Sequence, residues 1–303
     1  MTNFFASIIL VSLLLPAGFN FLREKTVDYS YGAVVSSRQP GPERIANQSL
    51  GLKTTAKSIL VIDDVSGAIL YNKNPAAILP VASISKLITA LVILDTNPDW
   101  NKVVEITEAD QRDGGIVYLL AGEEVTVKDL FYLMLVSSAN EAAAALARSS
   151  GLTDFSQAMN KKAGELGMVS SYFIDPSGLD PANVSSPDDL VKLARAAFSR
   201  PEITEALLTA EYPFVVLNNK RQGEIKNTDQ LLDSFFANDG YEIIGAKTGY
   251  LDEAGYCLLL QIKKKDGPSL TLVILGALTI IDRWQEAKGL VDWVFRNYQW
   301  GNE

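Results

Sequence analysis

The sequence contains no histidine among its 303 residues. Histidine is the most frequent general base of enzymes and the most frequent side-chain ligand of metal ions. Its absence excludes a Ser-His-Asp triad, a Cys-His protease and a zinc hydrolase that depends on histidine ligands. A hydrolase built from this sequence must therefore activate its nucleophile with another side chain.

Cysteine is scarce, and basic residues are outnumbered by acidic ones. The single cysteine, Cys257, excludes an internal disulfide, and the apolar run "GYCLLLQI" around it predicts a buried strand in which it packs as a small apolar side chain. Lys and Arg number 27 against 36 Asp and Glu, for a net charge of -9. Because phosphate recognition needs a clustered basic surface, and the sequence shows none, we predict no nucleic-acid partner.

Long apolar runs are present, and the first of them concerns location. Residues Phe4 to Leu22 are almost uninterruptedly apolar, over a length between that of a signal-peptide core and that of a membrane span. The run predicts export. Because Arg23 and Lys25 follow it and no basic residue precedes it, the charges fully match neither the signal-peptide pattern nor the membrane-topology pattern. Residues 1–25 therefore stay open as a cleaved signal peptide or a retained membrane anchor, with a buried helix as the third alternative.

The next stretch, residues 26–50, is typical of a linker because "SSRQPGPER" contributes Ser, Pro, Gly and charge that resist packing. We predict a single folded domain over residues 51–303. It opens with "KSILVIDDVSGAILYNKN", which predicts a strand, a turn and a second strand. We interpret Asp63 and Asp64 at this turn as turn-forming residues rather than as a catalytic or metal-binding pair.

A mainly helical region follows, from a helix after Pro80 to the helix "LVKLARAAF" that begins after Ser186. Thr126 and Asp129 predict a capping box for "VKDLFYLMLV", and Gly167 predicts the end of a later helix. The carboxyl-terminal part changes to strands, in "YPFVVLN", "YEIIGAKTG", "GYCLLLQI" and "LTLVILGA", before a final amphipathic helix. We therefore predict an α+β fold, with one antiparallel sheet flanked by helices and a mainly helical region inserted between its two parts.

The stretch "VASISKLITA" places Ser83 and Lys86 three residues apart, on one face of a predicted core helix. An isolated buried ammonium is costly to desolvate and tends to lose its proton. A neutral lysine can act as a general base, so we expect burial and a second lysine nearby to lower its pKa from about 10.4. Ser83, close to the start of the helix, is also placed where developing negative charge is favoured.

Two further motifs accompany this pair. "SAN" at Ser138 to Asn140 fits S-x-N and falls between two predicted helices, and "KTG" at Lys247 to Gly249 falls in a predicted strand. A single S-x-x-K arises easily by chance. In this order, however, S-x-x-K, an S-D-N-like triplet and K-T-G are the signature set of penicillin-binding proteins and class A β-lactamases, so the three motifs together are specific.

Beyond these triplets the chain resembles the D-alanyl-D-alanine carboxypeptidases among the low-molecular-mass penicillin-binding proteins. The likeness covers roughly residues 55 to 298 and is carried by "ILVIDDVSGAILYNKN", "PVASISKLITALV", "LMLVSSANEAA", "AMNKKAGELGM", "DPSGLDPANVSSPDDL" and "GAKTGYLDEAGYCLL". It implies the β-lactamase/transpeptidase-like form of the α+β fold. It also implies that Ser83 is the acylated nucleophile, Lys86 its general base, and Ser138 a proton relay toward the leaving group. The oxyanion hole would be the backbone N–H groups of Ser83 and Tyr250.

The same resemblance implies which side chains bind the substrate. Asn140 would hold the substrate amide and Lys86, while Lys247 and Thr248 would bind the terminal carboxylate. Gly249 fits a strand that must admit a substrate backbone closely.

These features predict a serine-type D-Ala-D-Ala carboxypeptidase that removes the terminal D-alanine from peptidoglycan stem peptides through a Ser83 acyl-enzyme. The reaction requires no cofactor and no metal ion, and β-lactam antibiotics are expected to acylate the same serine. The expected location is extracytoplasmic, in the periplasm or on the cell-wall side of the plasma membrane, with any membrane attachment supplied by residues 4–22.

Three other functions stay open at this point. A serine β-lactamase of class A depends on an extra glutamate, which the matching region "FIDPSGLDPANVSSPDDL" lacks. A peptidoglycan D,D-endopeptidase would share the motifs and differ in preferring cross-linked peptides. A non-catalytic cell-wall or drug-binding protein would have no need to retain every hydroxyl, lysine and amide of the set.

Overall fold

The computed structural model of the chain describes residues 40–49, 51–234 and 240–301. The strands in this part of the chain are β1 (Glu43–Arg44), β2 (Ser58–Asp63), β3 (Ile69–Lys73), β4 (Leu79–Pro80), β5 (Val103–Glu105), β6 (Glu124–Thr126), β7 (Val184–Ser185), β8 (Glu211–Val215), β9 (Gln222–Lys226), β10 (Tyr241–Leu251), β11 (Gly255–Lys264), β12 (Ser269–Ala277) and β13 (Tyr298–Gln299). The α-helices are α1 (Lys86–Asp95), α2 (Val127–Val136), α3 (Asn140–Ser149), α4 (Phe155–Glu165), α5 (Pro187–Phe198), α6 (Pro201–Leu208) and α7 (Ile280–Asn297).

The main sheet has five strands in the order β10-β11-β12-β2-β3, and every neighbouring pair is antiparallel. Strand β2, from the early pair, lies beside β12, from the three late strands. The sheet therefore joins two parts of the chain that the inserted helical region separates in sequence. The predicted α+β fold, with one sheet assembled from both ends of the domain, is confirmed.

Both faces of the sheet are buried, which explains why its central strands are apolar along their whole length. Successive residues of a strand point to opposite faces. Ile59 and Val61 accordingly belong to the hydrophobic cluster that includes Leu290 of α7, while Leu60 belongs to the cluster that includes Leu87 of α1. The sheet thus lies between α7 on one side and the inserted helices on the other.

Local signals set the ends of several helices as predicted. The Thr126 side chain accepts a hydrogen bond from the backbone N–H of Asp129, and the Asp129 carboxylate accepts one from Thr126, which completes the capping box of α2. Ser186 caps α5 with Pro187 in its first turn. Gly167, just beyond α4, has φ +70°, the left-handed conformation that favours glycine at a helix end.

Besides the short strands β1, β4, β5, β6, β7 and β13, one helix and one longer strand were not predicted. Helix α6 has only eight residues and follows α5 almost directly, so its pattern is too short to separate from that of its neighbour. Strand β9, "QGEIK", buries only Ile225 and is otherwise polar, so it lacks the alternating pattern of a half-buried strand. It pairs with β8 in a separate two-stranded hairpin.

Residues 43–49 lie inside the predicted linker, yet they contact the folded domain. Strand β1 pairs with β13 at the other end of the chain, Asn47 Nδ2 donates to Asn297 Oδ1 (2.8 Å), and Trp293 Nε1 donates to Ser49 Oγ (2.6 Å). The folded unit therefore includes these residues, which carry no apolar pattern that sequence could have recognised. The rest of the predicted linker, residues 26–39 and 50, and the predicted signal or anchor, residues 1–25, lie outside the described residues.

No helix in the described part of the chain combines the length and the apolar character needed to cross a bilayer.

Candidate active site

Ser83 and Lys86 lie at the entry to the first helix. A 3-10 turn, Ala82–Ser85, leads directly into α1, and this arrangement places Lys86 Nζ 2.9 Å from Ser83 Oγ. Lys86 is 0% exposed, whereas Ser83 is partly accessible. The structure therefore brings together a reachable hydroxyl and a fully buried amine, as the motif predicts.

Lys86 is surrounded by hydrogen-bond acceptors. Its Nζ donates to Asn140 Oδ1 (2.7 Å) and to the backbone carbonyl oxygen of Ser177. Burial lowers the pKa of Lys86 from its usual value of 10.5 to about 7, while the negative charges of Asp175 and Glu141 act in the opposite direction. Near neutral pH a substantial fraction of this lysine is therefore uncharged and able to accept a proton.

The second lysine, Lys247, lies across the site from Lys86. Lys247 is 1% exposed, and its Nζ donates to Ser138 Oγ (2.9 Å). We expected burial and a nearby cation to lower the pKa of Lys86, and burial is the largest cause of that shift. The pKa of Lys247 lies well below 10.5 because of its own burial and because of repulsion from Lys86 and Arg283. The site thus holds two buried amines, neither of which keeps its proton as firmly as a surface lysine does.

Ser138 occupies the short connection between α2 and α3, as predicted. Its φ of +63° is in the left-handed region, which is uncommon for a residue other than glycine. The strain is maintained by the contacts on either side, where Ser137 Oγ and the backbone N–H of Ala139 both donate to the carbonyl oxygen of Leu133. This conformation directs the Ser138 hydroxyl toward Lys247, and Asn140 begins the next helix.

The "KTG" strand, β10, lies against the 3-10 turn Ala82–Ser85, which we call the nucleophile turn because the motif predicts Ser83 as the nucleophile. A Cβ added to Gly249 would lie 2.8 Å from the carbonyl oxygen of Val81 and 3.1 Å from the backbone nitrogen of Ser83. The missing Cβ of Gly249 thus lets the strand approach the protein's own turn, and its expected role of admitting a substrate backbone stays a prediction. Tyr250 is 49% exposed, and its hydroxyl donates to Asp252 (2.7 Å), so its side chain points away from Ser83 toward the rim.

A cleft of about 530 Å³ joins these groups. The predicted site residues that line it are Ser83, Ser138, Asn140, Thr248, Gly249 and Tyr250. Lys86 and Lys247 lie behind this lining and reach it through their hydrogen bonds to Ser83 and Ser138. All the predicted site residues therefore meet in one place.

Among the cleft residues that were not predicted, two bear on its chemistry. Arg283 is 5% exposed, and its guanidinium lies over the rings of Tyr256 (5.6 Å) and Trp284 (4.4 Å). Its Nε has no hydrogen-bond partner, and it forms no ion pair within the described part of the chain. Thr228 lines the cleft as well and accepts a hydrogen bond from the Thr248 hydroxyl (2.8 Å). Neither residue belongs to a local motif, so the sequence offered no signal for them.

The loop that presents the Ser177 carbonyl is held by its own aspartate. The carboxylate of Asp175 accepts hydrogen bonds from the backbone N–H groups of Ser177, Gly178 and Asp180. Gly178 has φ +81°, and a side chain there would overlap the carbonyl oxygen of Ala82 in the nucleophile turn. The loop was visible in the sequence as a turn-rich segment, but its contact with Lys86 was not.

Comparison with known proteins gives a consistent result. Residues 43–279 match a family model described as D-alanyl-D-alanine carboxypeptidase. A D-alanyl-D-alanine endopeptidase of Pseudomonas aeruginosa is 32% identical over 266 residues, which span 86% of this chain and 84% of that protein. The D-alanyl-D-alanine carboxypeptidase DacF of Bacillus subtilis is 32% identical over 80% of this chain but 63% of its own length.

A solved structure supports the same relation. Penicillin-binding protein D2 of Listeria monocytogenes, in its cefotaxime-bound form, matches with a TM-score of 0.71 and 29% identity. The match covers 82% of this chain and 100% of that chain. The β-lactamase/transpeptidase-like form of the fold is thereby confirmed.

Proposed function

The chain belongs to the D-alanyl-D-alanine carboxypeptidase family, and on that premise we propose that Ser83 is the nucleophile of its reaction. The chain is a serine-type D-Ala-D-Ala carboxypeptidase, a hydrolase of peptidoglycan peptides. The observation that carries the assignment is the 2.9 Å separation of Ser83 Oγ from a fully buried Lys86 Nζ whose pKa is about 7. No surface lysine would be a base at neutral pH.

The first half of the reaction forms an ester. Neutral Lys86 removes the proton of the Ser83 hydroxyl, and the oxygen attacks the carbonyl carbon between the two terminal D-alanines. The backbone N–H groups of Ser83 and Tyr250 receive the negative charge that develops on the carbonyl oxygen. Ser138 passes a proton to the departing amine, so the C–N bond breaks and D-alanine leaves. Water then hydrolyses the acyl-enzyme in the second half.

Three groups provide a site for the terminal carboxylate. Arg283 supplies positive charge beside Thr248, whose hydroxyl lines the cleft, and the Lys247 amine lies behind it as a hydrogen-bond donor. Arg283 has no carboxylate partner in the described part of the chain, so it is available to a substrate. Charge-assisted bonds to a free carboxylate favour cleavage at the end of a peptide. Asn140 Oδ1 accepts a hydrogen bond from Lys86, and we expect the same side chain to bind the substrate amide.

A D,D-endopeptidase is the second candidate. The endopeptidase of P. aeruginosa and the carboxypeptidase DacF are both 32% identical to this chain, so the similarity supports the endopeptidase as an alternative. We expect both activities to use the same Ser83 chemistry. Rates measured on linear pentapeptide muropeptides and on cross-linked dimers, with the same enzyme preparation, distinguish the two.

We expect β-lactams to acylate Ser83 and the resulting acyl-enzyme to be hydrolysed slowly. The region that would carry a deacylating glutamate contains Asp175, and that carboxylate is occupied by three backbone N–H groups of its own loop. It is therefore not free to activate water, which argues against a class A β-lactamase. A purely drug-binding protein is the least supported alternative, because the complete hydroxyl and amine set is assembled.

We propose an extracytoplasmic location for the domain, since its substrate class is peptidoglycan. Support comes from the family match and from the apolar run Phe4 to Leu22. Determining the amino terminus of the mature protein shows whether that run is cleaved or anchors the protein.

One experiment tests the nucleophile and the amino terminus together. The protein is incubated with benzylpenicillin, its intact mass is measured, and the adduct is mapped by peptide mass spectrometry. We expect a single adduct of the mass of the intact antibiotic on Ser83, and none on the Ser83→Ala variant. An adduct on any other residue, or an unmodified protein that still hydrolyses D-Ala-D-Ala peptides after Ser83→Ala, would overturn the assignment.

A further inference from the structure

A second cavity, of about 330 Å³, lies at the amino-terminal end of α2, away from the catalytic cleft. We call it the Trp100 pocket, and the residues that matter for its chemistry are Trp100, Asn101, Lys128, Tyr132, Glu202 and Glu205. None of them lines the cleft of Ser83. The catalytic mechanism has no use for any of these side chains.

The aromatic rings of the Trp100 pocket are held in place. Trp100 is half-buried and packs edge-to-face against Phe131, with ring centroids 5.2 Å apart. Tyr132 stacks on Tyr212 (4.4 Å), and the Lys128 ammonium lies 5.7 Å from the centre of the Tyr132 ring. Rings fixed in this way offer contact area to a ligand without loss of side-chain entropy.

The polar groups of the pocket include an unsatisfied acceptor. The Glu202 side chain is 41% exposed and its Oε1 pairs with Arg200 (3.3 Å), but its Oε2 is shielded and has no hydrogen-bond partner. A buried acceptor without a donor is unfavourable, so the site gains from a ligand that donates to it. Glu205 lies one turn further along α6 and adds a second acceptor, and Lys128 adds donors.

This combination selects one class of ligand. A small cation is disfavoured because the Lys128 ammonium already lies over the Tyr132 ring, and an anion is disfavoured by the two glutamates. A neutral ring that carries hydroxyls has apolar faces for Trp100 and both donors and acceptors for the charged groups. We infer that the Trp100 pocket binds a saccharide, namely the amino-sugar chain of peptidoglycan, a choice of polymer that rests on the proposed function.

The pocket is at a suitable distance from the nucleophile. Helix α2 runs from Lys128 in the pocket to the connection that holds Ser138, about 15 Å at 1.5 Å per residue. The β8–β9 hairpin lies beside the same path, because Tyr212 stacks in the pocket wall while Lys226 lines the cleft. An extended stem peptide of about five residues spans roughly 17 Å. A glycan in the pocket would therefore deliver its own peptide to Ser83.

Binding is tested without catalysis, by calorimetry on the Ser83→Ala variant with tri-N-acetylchitotriose and with peptide-free glycan strands released from sacculi by an amidase. We expect both probes to bind. Adding Trp100→Ala should weaken binding at least tenfold, and Glu205→Gln should weaken it severalfold. Tyr172→Ala removes an aromatic side chain that is 55% exposed outside the pocket, and it should leave binding unchanged.

Activity provides the second measurement, in the protein that retains Ser83. Trp100→Ala should reduce D-alanine release from intact sacculi at least fivefold while leaving hydrolysis of diacetyl-L-Lys-D-Ala-D-Ala unchanged, which also shows that the variant is folded. No binding of either probe, equal binding by the Trp100→Ala variant, or binding of tetramethylammonium in their place would overturn the inference. Glycan binding in a protein that cannot hydrolyse the tripeptide would support the pocket and count against the proposed function.

Discussion

At the scale of single residues, the chemistry depends on where one ammonium group is buried. Lys86 is enclosed by the Ser83 hydroxyl, the Asn140 amide and the Ser177 carbonyl. Desolvation outweighs the nearby negative charges, and the result is a pKa of about 7. An amine with an ordinary pKa is neutral in fewer than about one molecule in a thousand at pH 7. Burial thus raises the population of the neutral amine, the form that the proposed mechanism requires, by about three orders of magnitude.

The rate of acylation should follow the deprotonation of Lys86. Because only the neutral amine accepts the proton, the second-order acylation rate is expected to rise about tenfold per pH unit below 7 and to level off above it. Glu141→Gln removes a charge that raises the pKa of Lys86, so the inflection should move to lower pH. Glu108→Gln, at an exposed remote position, is the matched control and should not move it. A rate that stays constant from pH 5 to 8 would contradict the role of Lys86.

Arg283 should control affinity for the free carboxylate. Arg283→Gln removes a charge-assisted interaction worth about 1.5–3 kcal/mol, so KM for a D-Ala-D-Ala tripeptide should rise roughly 10- to 100-fold, with a smaller change in kcat. Arg283→Lys should restore part of the affinity. Arg296→Gln, at an exposed position of the same helix, serves as the control. An unchanged KM for Arg283→Gln would show that the carboxylate binds elsewhere.

At the scale of elements, the site is built from the ends of helices and one strand. The nucleophile turn precedes α1, Ser138 joins α2 to α3, and β10 brings Lys247 beside both. The close approach of β10 to the turn depends on Gly249, since a Cβ there meets backbone atoms that cannot rotate away. Rigid elements in close contact hold the reacting groups within hydrogen-bond distance.

Gly249→Ala should therefore separate β10 from the nucleophile turn. Forcing a methyl group 2.8 Å from the Val81 carbonyl should cost about 1–3 kcal/mol of stability and lower kcat/KM by at least tenfold. Gly164→Ala, in α4 with no atom within 4 Å of the added Cβ, should leave activity unchanged and stability equal or slightly higher. Thermal unfolding and steady-state kinetics of the two variants make the comparison, and equal behaviour would refute the packing argument.

At the scale of the whole molecule, both ends of the described chain meet. Strand β1 pairs with β13, and the guanidinium of Arg44 lies 5.6 Å from the centre of the Trp293 ring. The sheet repeats this arrangement, because its early strands pair with its late ones across the inserted helical region. Stability is therefore shared between distant parts of the sequence, and a short segment before residue 50 belongs to the same folded unit.

Truncation should reveal this contribution. A variant that begins at residue 43 is expected to keep the thermal midpoint and tripeptidase activity of the full-length protein. A variant that begins at residue 51 loses the contacts of Arg44, Asn47 and Ser49, worth about 1–3 kcal/mol, so its Tm should fall by roughly 2–10 °C. Equal midpoints for the two variants would show that residues 43–50 add nothing to the fold.

The sequence by itself determined the fold class and most of the reacting groups of this protein. Helix caps, alternating apolar strands and the triplets around Ser83, Ser138 and Lys247 are local patterns, and local patterns are what a sequence displays. The spacing of three residues already placed Ser83 and Lys86 on one face. The predicted site residues consequently required no tertiary information to be found, although their roles await the experiments described above.

Only the tertiary structure decided which distant groups complete the site. The Ser177 carbonyl meets Lys86 across 91 residues of sequence, and Arg283 enters the cleft from a helix that carries no motif. It also showed that burial is the largest cause of the lowered pKa of Lys86, and that Gly249 makes room for the nucleophile turn. Desolvation and close contact depend on every neighbour that folding brings near, and sequence spacing contains no record of those distances.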